Sequence, residues 1–162
     1  MTRKPPPTPS QTVGPFFGFA LPFEGGPNVD GGTARIEGQL LDGAGEPIPD
    51  GLLEAWQGGQ FARCSTDAEG AFHFTVLKPA AAAGEAPHLN LTVHARGLLR
   101  HLVTRVYFPD EEEANAADPV LRKVDPERRP TLVARQDGDL LRFDVRLQGD
   151  GETVFFETEV TP

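Results

Sequence analysis

Four polar side chains on one short stretch are the best candidates for chemistry in this sequence: His88, Asn90, His94 and Arg96. Two imidazoles suggest a metal site, and a guanidinium offers a planar fork that matches a carboxylate. Spacing decides between these uses. His88 and His94 share a face but lie six residues apart, roughly 20 Å along an extended strand. Ligands of one ion each sit about 2.0–2.3 Å from it, so these two imidazoles cannot hold the same ion. The pair with the right separation is His88 and position 90, and position 90 is asparagine. A ferric ion also wants hard anionic donors such as phenolates, and the sole tyrosine is Tyr107. A site of two tyrosines and two histidines cannot be assembled from one copy of the chain, so no metal is expected to be bound by this chain alone. Arg96 keeps two readings open, a surface guanidinium paired with an acid or a clamp for an anionic ligand. His73, His94 and His101 read as ordinary strand-face or surface histidines.

Other chemistries lack their motifs. No Gly-rich turn carries Lys-Ser/Thr before a helix, so there is no phosphate-binding loop. The G-x-S-x-G turn of serine hydrolases is missing, and Cys64 stands without a catalytic motif, as a partly buried small residue.

The element that must position these groups runs from Pro87 to Gly97. Leu89, Leu91, Val93 and Ala95 alternate with His88, Asn90, Thr92, His94 and Arg96, the period of a half-buried β-strand. The rest of the chain follows the same style. Its 162 residues include 18 Gly and 16 Pro, which favours short strands joined by turns over helices. With 38% hydrophobic and 24% charged residues it is a globular chain of one domain. A formal net charge of −9 argues against nucleic acid as a partner. The single cysteine excludes an internal disulfide and suits a reducing compartment. The start, MTRKPPPTPS, has no apolar core behind its basic residues and is not a secretory signal; no run reaches the roughly 20 apolar residues of a membrane span. A soluble, cytoplasmic protein is expected.

Strands are predicted over 34–41, 48–57, 61–64, 71–76, 87–97 and 102–108. A hairpin is predicted from 131–135 and 140–147 around Asp137-Gly138, and a last short strand over 154–156. Trp56 is expected in the core. The one helix is predicted after Pro109, where the acids 110–113 suit the helix dipole and Asp118-Pro119 ends it. The acidic run reads as a solvated helix start. Seven or eight short strands with one short helix make an all-β, antiparallel β-sandwich spanning 35–162. Ahead of it, 1–34 reads as an extended arm. Pro5, Pro6, Pro7, Pro9 and Pro15 stiffen it, and Phe16, Phe17, Phe19, Leu21 and Phe23 each need a host. That host is either the chain's own domain or a neighbouring subunit.

Several segments together resemble a known family. They are Thr8–Phe17 (TPSQTVGPFF), Glu54–Gln57 (EAWQ), Ala86–Leu91 (APHLNL), Ala95-Arg96-Gly97, Thr104–Phe108 (TRVYF) and Arg146–Phe156 (RLQGDGETVFF), in this order along nearly the whole chain. They resemble the α subunits of the intradiol ring-cleaving dioxygenases, β-sandwich enzymes in which a β subunit binds non-haem Fe(III) through two tyrosines and two histidines. The departures are those of the iron-free partner. His88-Leu89-Asn90 stands where the catalytic chain has His-x-His, Phe61 stands where a ligand tyrosine would be, and the loop 79–87 has no tyrosine.

The resemblance implies an active site shared between two chains in a higher αβ oligomer, with the iron on the partner β subunit. Thr12, Gly14 and Pro15 of the arm would line the substrate pocket, and Arg96 would place positive charge near the bound aromatic acid. The reaction implied is cleavage of protocatechuate with O2 to 3-carboxy-cis,cis-muconate, both oxygen atoms being incorporated. Two rivals are weighed beside it. The stretch 38–56 also resembles transthyretin-like accessory domains, which need no catalysis, and a self-sufficient intradiol enzyme is disfavoured by the missing tyrosines.

Overall fold

The alternation of the sequence becomes two sheets packed face to face in the computed structural model, which describes residue 9 and residues 11–157. The first sheet holds β1 (Ala34–Leu41), β4 (Ala71–Val76), β7 (Arg135–Asp137), β8 (Leu140–Arg142) and β9 (Val145–Arg146). Its order is β4-β1-β8-β7, and β9 also lies on β1. The second sheet has the order β3-β2-β5-β6, built from β2 (Leu52–Gln57), β3 (Gln60–Ser65), β5 (His88–His94) and β6 (Leu102–Tyr107). Between them Ile36, Phe72, Phe74 and Phe143 meet Leu53, Leu89, Leu91, Val93 and Val106 in one core. The inward residues are the odd positions of β5 and the even positions of β4, as the period of two requires.

Most pairs are antiparallel, but β1 pairs in parallel with both β8 and β9. Between β8 and β9 the chain breaks its ladder at Phe143-Asp144, opposite Gly38. There Phe143 donates its N–H to Glu37 O at 2.9 Å, and the Asp144 carboxylate accepts the Gln39 N–H at 3.0 Å in place of a backbone carbonyl. Gly38 makes this possible, since a Cβ on it would lie 1.7 Å from Phe143 O. Gly38→Ala must therefore push a core-bearing strand off β1. Its expected cost is about 3 kcal/mol, the upper end of overpacking effects, measured as a fall in the urea midpoint at unchanged slope.

Three local expectations shift. Ile48 returns to β1 through its N–H to Leu40 O, and Pro49-Asp50-Gly51 turn before β2 starts at Leu52, because proline has no N–H for a ladder. Pro130 likewise sits in a 3-10 turn over Arg129–Leu132, so the hairpin begins at Arg135. Residues 154–156 are extended but join neither ladder; Phe156 N–H bonds to Val103 O at 2.8 Å. The predicted helix forms as α2 (Glu112–Ala117) with no buried residue, in keeping with a solvated acidic start.

Trp56 corrects a larger expectation. It lies 44% exposed on the outer face of the second sheet, because Leu53 and Ala55 take the inward positions of β2 and leave Glu54 and Trp56 facing out. Cys64, expected to be partly buried, lies in the core at the inward face of β3.

The prolines 5–7 of the arm lie outside the described residues. From Gln11 onward the arm has two parts. Residues 26–29 bond to the edges of both sheets: Arg63 N–H to Gly26 O, Thr75 N–H to Pro27 O and Val29 N–H to Thr75 O. Ahead of them, α1 (Phe17–Ala20) buries Phe17 alone, while Phe16, Phe19 and Phe23 are 71%, 72% and 52% exposed.

Candidate functional site

The two ends of β5 are built differently, and they separate the sequence-predicted residues. At its start, His88 and Asn90 face outward together with their cross-strand partners Tyr107 and Arg105. This patch is covered by a second apolar cluster of Ala86, Tyr107, Leu121 and Leu132, so His88 is only 2% exposed. His88 Nδ1 donates to Ala86 O at 2.8 Å, which leaves Nε2 as the acceptor, and the Gln57 amide nitrogen faces it at 3.5 Å. Burial lowers the imidazole's pKa, and the nearby Arg105 charge adds to this, so His88 is neutral at pH 7. Asn90 donates to Gln57 Oε1 at 3.0 Å.

Behind them lies a chain of charge. Arg105 Nη1 is 2.9 Å from Glu85 Oε2 and donates to Tyr107 Oη at 3.1 Å; Tyr107 in turn donates to Asp118 Oδ1 at 3.2 Å. Glu85 is aimed inward by the tight turn Ala82–Glu85, whose central residues Ala83 and Gly84 both have positive φ, 53° and 79°. Burial pushes the Tyr107 phenol up to about 12, so it is a hydrogen-bond donor and not a phenolate. Asp118 is fully buried and accepts the N–H groups of Ala86, Val120 and Leu121. Burial opposes its charge, but those N–H donors prevail and hold its carboxyl below the usual range.

At the other end of β5, the structure brings Arg96 and the arm to one place. Val13, between Thr12 and Gly14, donates its N–H to Leu98 O at 2.8 Å, two residues past Arg96. Gly14 takes φ of 74°, a left-handed turn that leads into Pro15 and α1. Phe17 then packs on His94, ring centres 6.0 Å apart, and His94 stacks on His101 at 5.7 Å. Thr12 and Pro15 are exposed, and Gly14 is half-buried. The Arg96 side chain is 66% exposed, with Nε 2.7 Å from Asp50 Oδ2. That approach lies off the donor axis, and the buried Oδ2 accepts no hydrogen bond among the described residues. Arg96 is thus an exposed cation two residues before the arm's anchor at Leu98, held by an ion pair with Asp50.

The arm's second anchor is Arg63. Its Nε donates to Glu54 Oε1 at 2.9 Å and its Nη1 to Leu21 O at 2.7 Å, while the guanidinium lies 5.8 Å from the Phe23 ring centre and 5.1 Å from that of Phe61.

Sequence reasoning missed Gln57, Glu85, Arg105 and Asp118 as members of the His88 cluster. Arg105 and Tyr107 alternate with Thr104 and Val106 just as His88 and Asn90 alternate with Leu89 and Leu91, so their shared face was available from periodicity. Asp118 read only as a helix stop.

A two-sheet β-sandwich is the fold of the intradiol ring-cleaving dioxygenases. The dioxygenase domain of a dioxygenase–carbohydrate-binding protein fusion from Streptomyces sp. SirexAA-E superposes with a TM-score of 0.58 at 26% identity, over 89% of this chain and 99% of that one. The protocatechuate 3,4-dioxygenase alpha chain of Burkholderia cepacia is 43% identical over 93% of this chain and 96% of its own length, and that of Pseudomonas putida 38% over 94% and 96%. The chain belongs to this family of protocatechuate 3,4-dioxygenase alpha chains. The Burkholderia cepacia beta chain of the same enzyme is 28% identical over 77% of this chain and 62% of its own length. No family model matches the chain.

Intradiol dioxygenases are non-haem Fe(III) enzymes, so the residues at the His88 strand can be tested against that ion. They do not fit it. The imidazole lone pair of His88 meets an amide, position 90 offers an amide that is already donating, and the only phenol is held protonated between Arg105 and Asp118. Among the described residues no group of three His, Cys, Asp or Glu side chains is placed to hold a metal.

Proposed function

We propose that this chain is the iron-free alpha subunit of a protocatechuate 3,4-dioxygenase, completed by a beta subunit that binds the Fe(III), in a higher αβ oligomer. The observation that carries the reading is a near full-length match to alpha chains, joined to a His-x-Asn strand whose donors are all committed within the fold. The ferric ion of the partner supplies the activation of the diol toward O2. This chain's part is to shape and charge the pocket. Thr12, Gly14 and Pro15 present the arm's first turn to the partner, and Arg96 exchanges Asp50 for the carboxylate of protocatechuate. The exposed Phe16 and Phe19, in edge contact at 5.5 Å, are the apolar surface on which the partner packs. The arm, 1–34, is thus the docking element and 35–162 its scaffold. Among the described residues no helix is long and apolar enough to cross a membrane, and we place the assembly in the cytoplasm.

The test is metal and activity in parallel. The chain purified alone should carry no stoichiometric iron and cleave no protocatechuate; co-expressed with its beta chain it should give both iron and ring cleavage. About one iron per molecule of the chain alone would overturn the reading.

A further inference from the structure

The cluster at the start of β5 gathers several acceptors around one cation. Glu85 reaches the outward face of β5, Asp118 lies fully buried behind Tyr107, and His88, with Nδ1 committed to Ala86 O at 2.8 Å, turns its Nε2 toward the Gln57 amide and the Glu85 carboxylate. Glu85 Oε2 lies 3.7 Å from that Nε2, so two acceptors face each other and a nearby positive charge favours the arrangement. One such charge is present. The Arg105 guanidinium, whose side chain is 17% exposed, touches Glu85 at 2.9 Å and Tyr107 Oη at 3.1 Å, and Tyr107 passes the contact on to Asp118. Arg105 reaches this position because it is the cross-strand partner of Asn90 and so shares the outward face of His88.

We infer that Arg105 is the resident cation of this pocket, tying Glu85 to the Tyr107–Asp118 pair beside His88, and that its guanidinium would keep a divalent metal out even if the missing donor were supplied. The inference does not rest on the proposed partner or substrate, because it concerns only side chains of this chain at the end of β5 away from Arg96. The site is closed by charge as well as by the missing donors.

The test separates the two causes. Asn90→His adds an imidazole two residues from His88 on the same face but leaves the guanidinium in place. Asn90→His/Arg105→Gln removes the charge as well, and Asn90→His/Arg105→Lys keeps it in a different shape. Full-length chains are titrated with Co(II), followed by visible absorption and by thermal melting. The wild type, Asn90→His and the lysine variant should show no Co(II)-dependent change. The glutamine variant should melt lower without metal, bind one Co(II) per chain, and regain roughly 5–10 °C at a hundredfold excess over its Kd. Adding His88→Gln to it should abolish that response. If the glutamine variant folds only with Co(II) present, the inference is supported in stronger form. Equal binding by Asn90→His alone would overturn it. So would a glutamine variant that ignores Co(II), whether it melts cooperatively or fails to fold with and without the metal.

Discussion

In the assembled enzyme, Arg96→Leu should lower kcat/KM for protocatechuate roughly thirty- to a hundredfold, mostly through KM, while catechol changes by less than about threefold. A guanidinium–carboxylate contact formed with substrate is worth about 2–3 kcal/mol, and catechol has no carboxylate to lose it. The ion pair that Arg96 makes within the chain is weak. With 66% of its side chain exposed, its 2.7 Å pair with Asp50 is of the surface kind, worth about 0–1 kcal/mol, and readily exchanged. Arg96→Lys should retain part of the preference, since a point charge replaces the fork. Equal losses on protocatechuate and catechol would remove the carboxylate from the explanation and leave Arg96 a packing residue at the arm's anchor.

The largest effect on stability is expected at Asp118. Asp118→Ala strands the N–H groups of Ala86 and Leu121 and the Tyr107 hydroxyl in a buried setting, and the Val120 N–H in a half-buried one. At about 1–3 kcal/mol for each buried donor left without an acceptor, and with some relaxation, the loss should be roughly 3–6 kcal/mol, read from urea melts. The pH dependence follows from the lowered pKa of the carboxyl. Its stabilisation is fully present above the unfolded value, near 3.9, and is lost as pH falls through the folded one. The wild type should therefore lose stability below about pH 4, and Asp118→Asn, which cannot protonate, should show a shallower acid limb. An unchanged acid limb in the asparagine variant would assign that loss to other carboxylates.

Much of this molecule could be read from its residues, and what could not has a common cause. Alternation placed β4, β5 and the inward side of β8 correctly, because one face of each is buried and a slip of one residue would expose every apolar side chain. The His88–His94 separation showed without coordinates that the two imidazoles serve different surroundings. Trp56 went astray because Leu52-Leu53-Glu54-Ala55-Trp56 carries large apolar groups on both parities, and small Ala55, not the indole, fills the inward slot. Asp118 and Glu85 were invisible for another reason. Each belongs to a connection, and its role is fixed by which strand end the loop passes over, a property of the tertiary path. The parallel pairing of β1 with β8 and β9 likewise depends on where a distant segment returns, and the crowding at Gly38 exists only once it has done so.

The bonding of residues 26–29 to both β3 and β4 has a consequence for self-association. These are the outermost strands of their sheets on one side of the sandwich, and unprotected outer strands recruit other chains by offering them unpaired amides. The segment occupies those amides from within and leaves the first turn of the arm tethered by one backbone bond at Val13 and one ring at Phe17. The polypeptide can thus lend its leading aromatic stretch to a neighbour while the seal against indiscriminate aggregation stays shut.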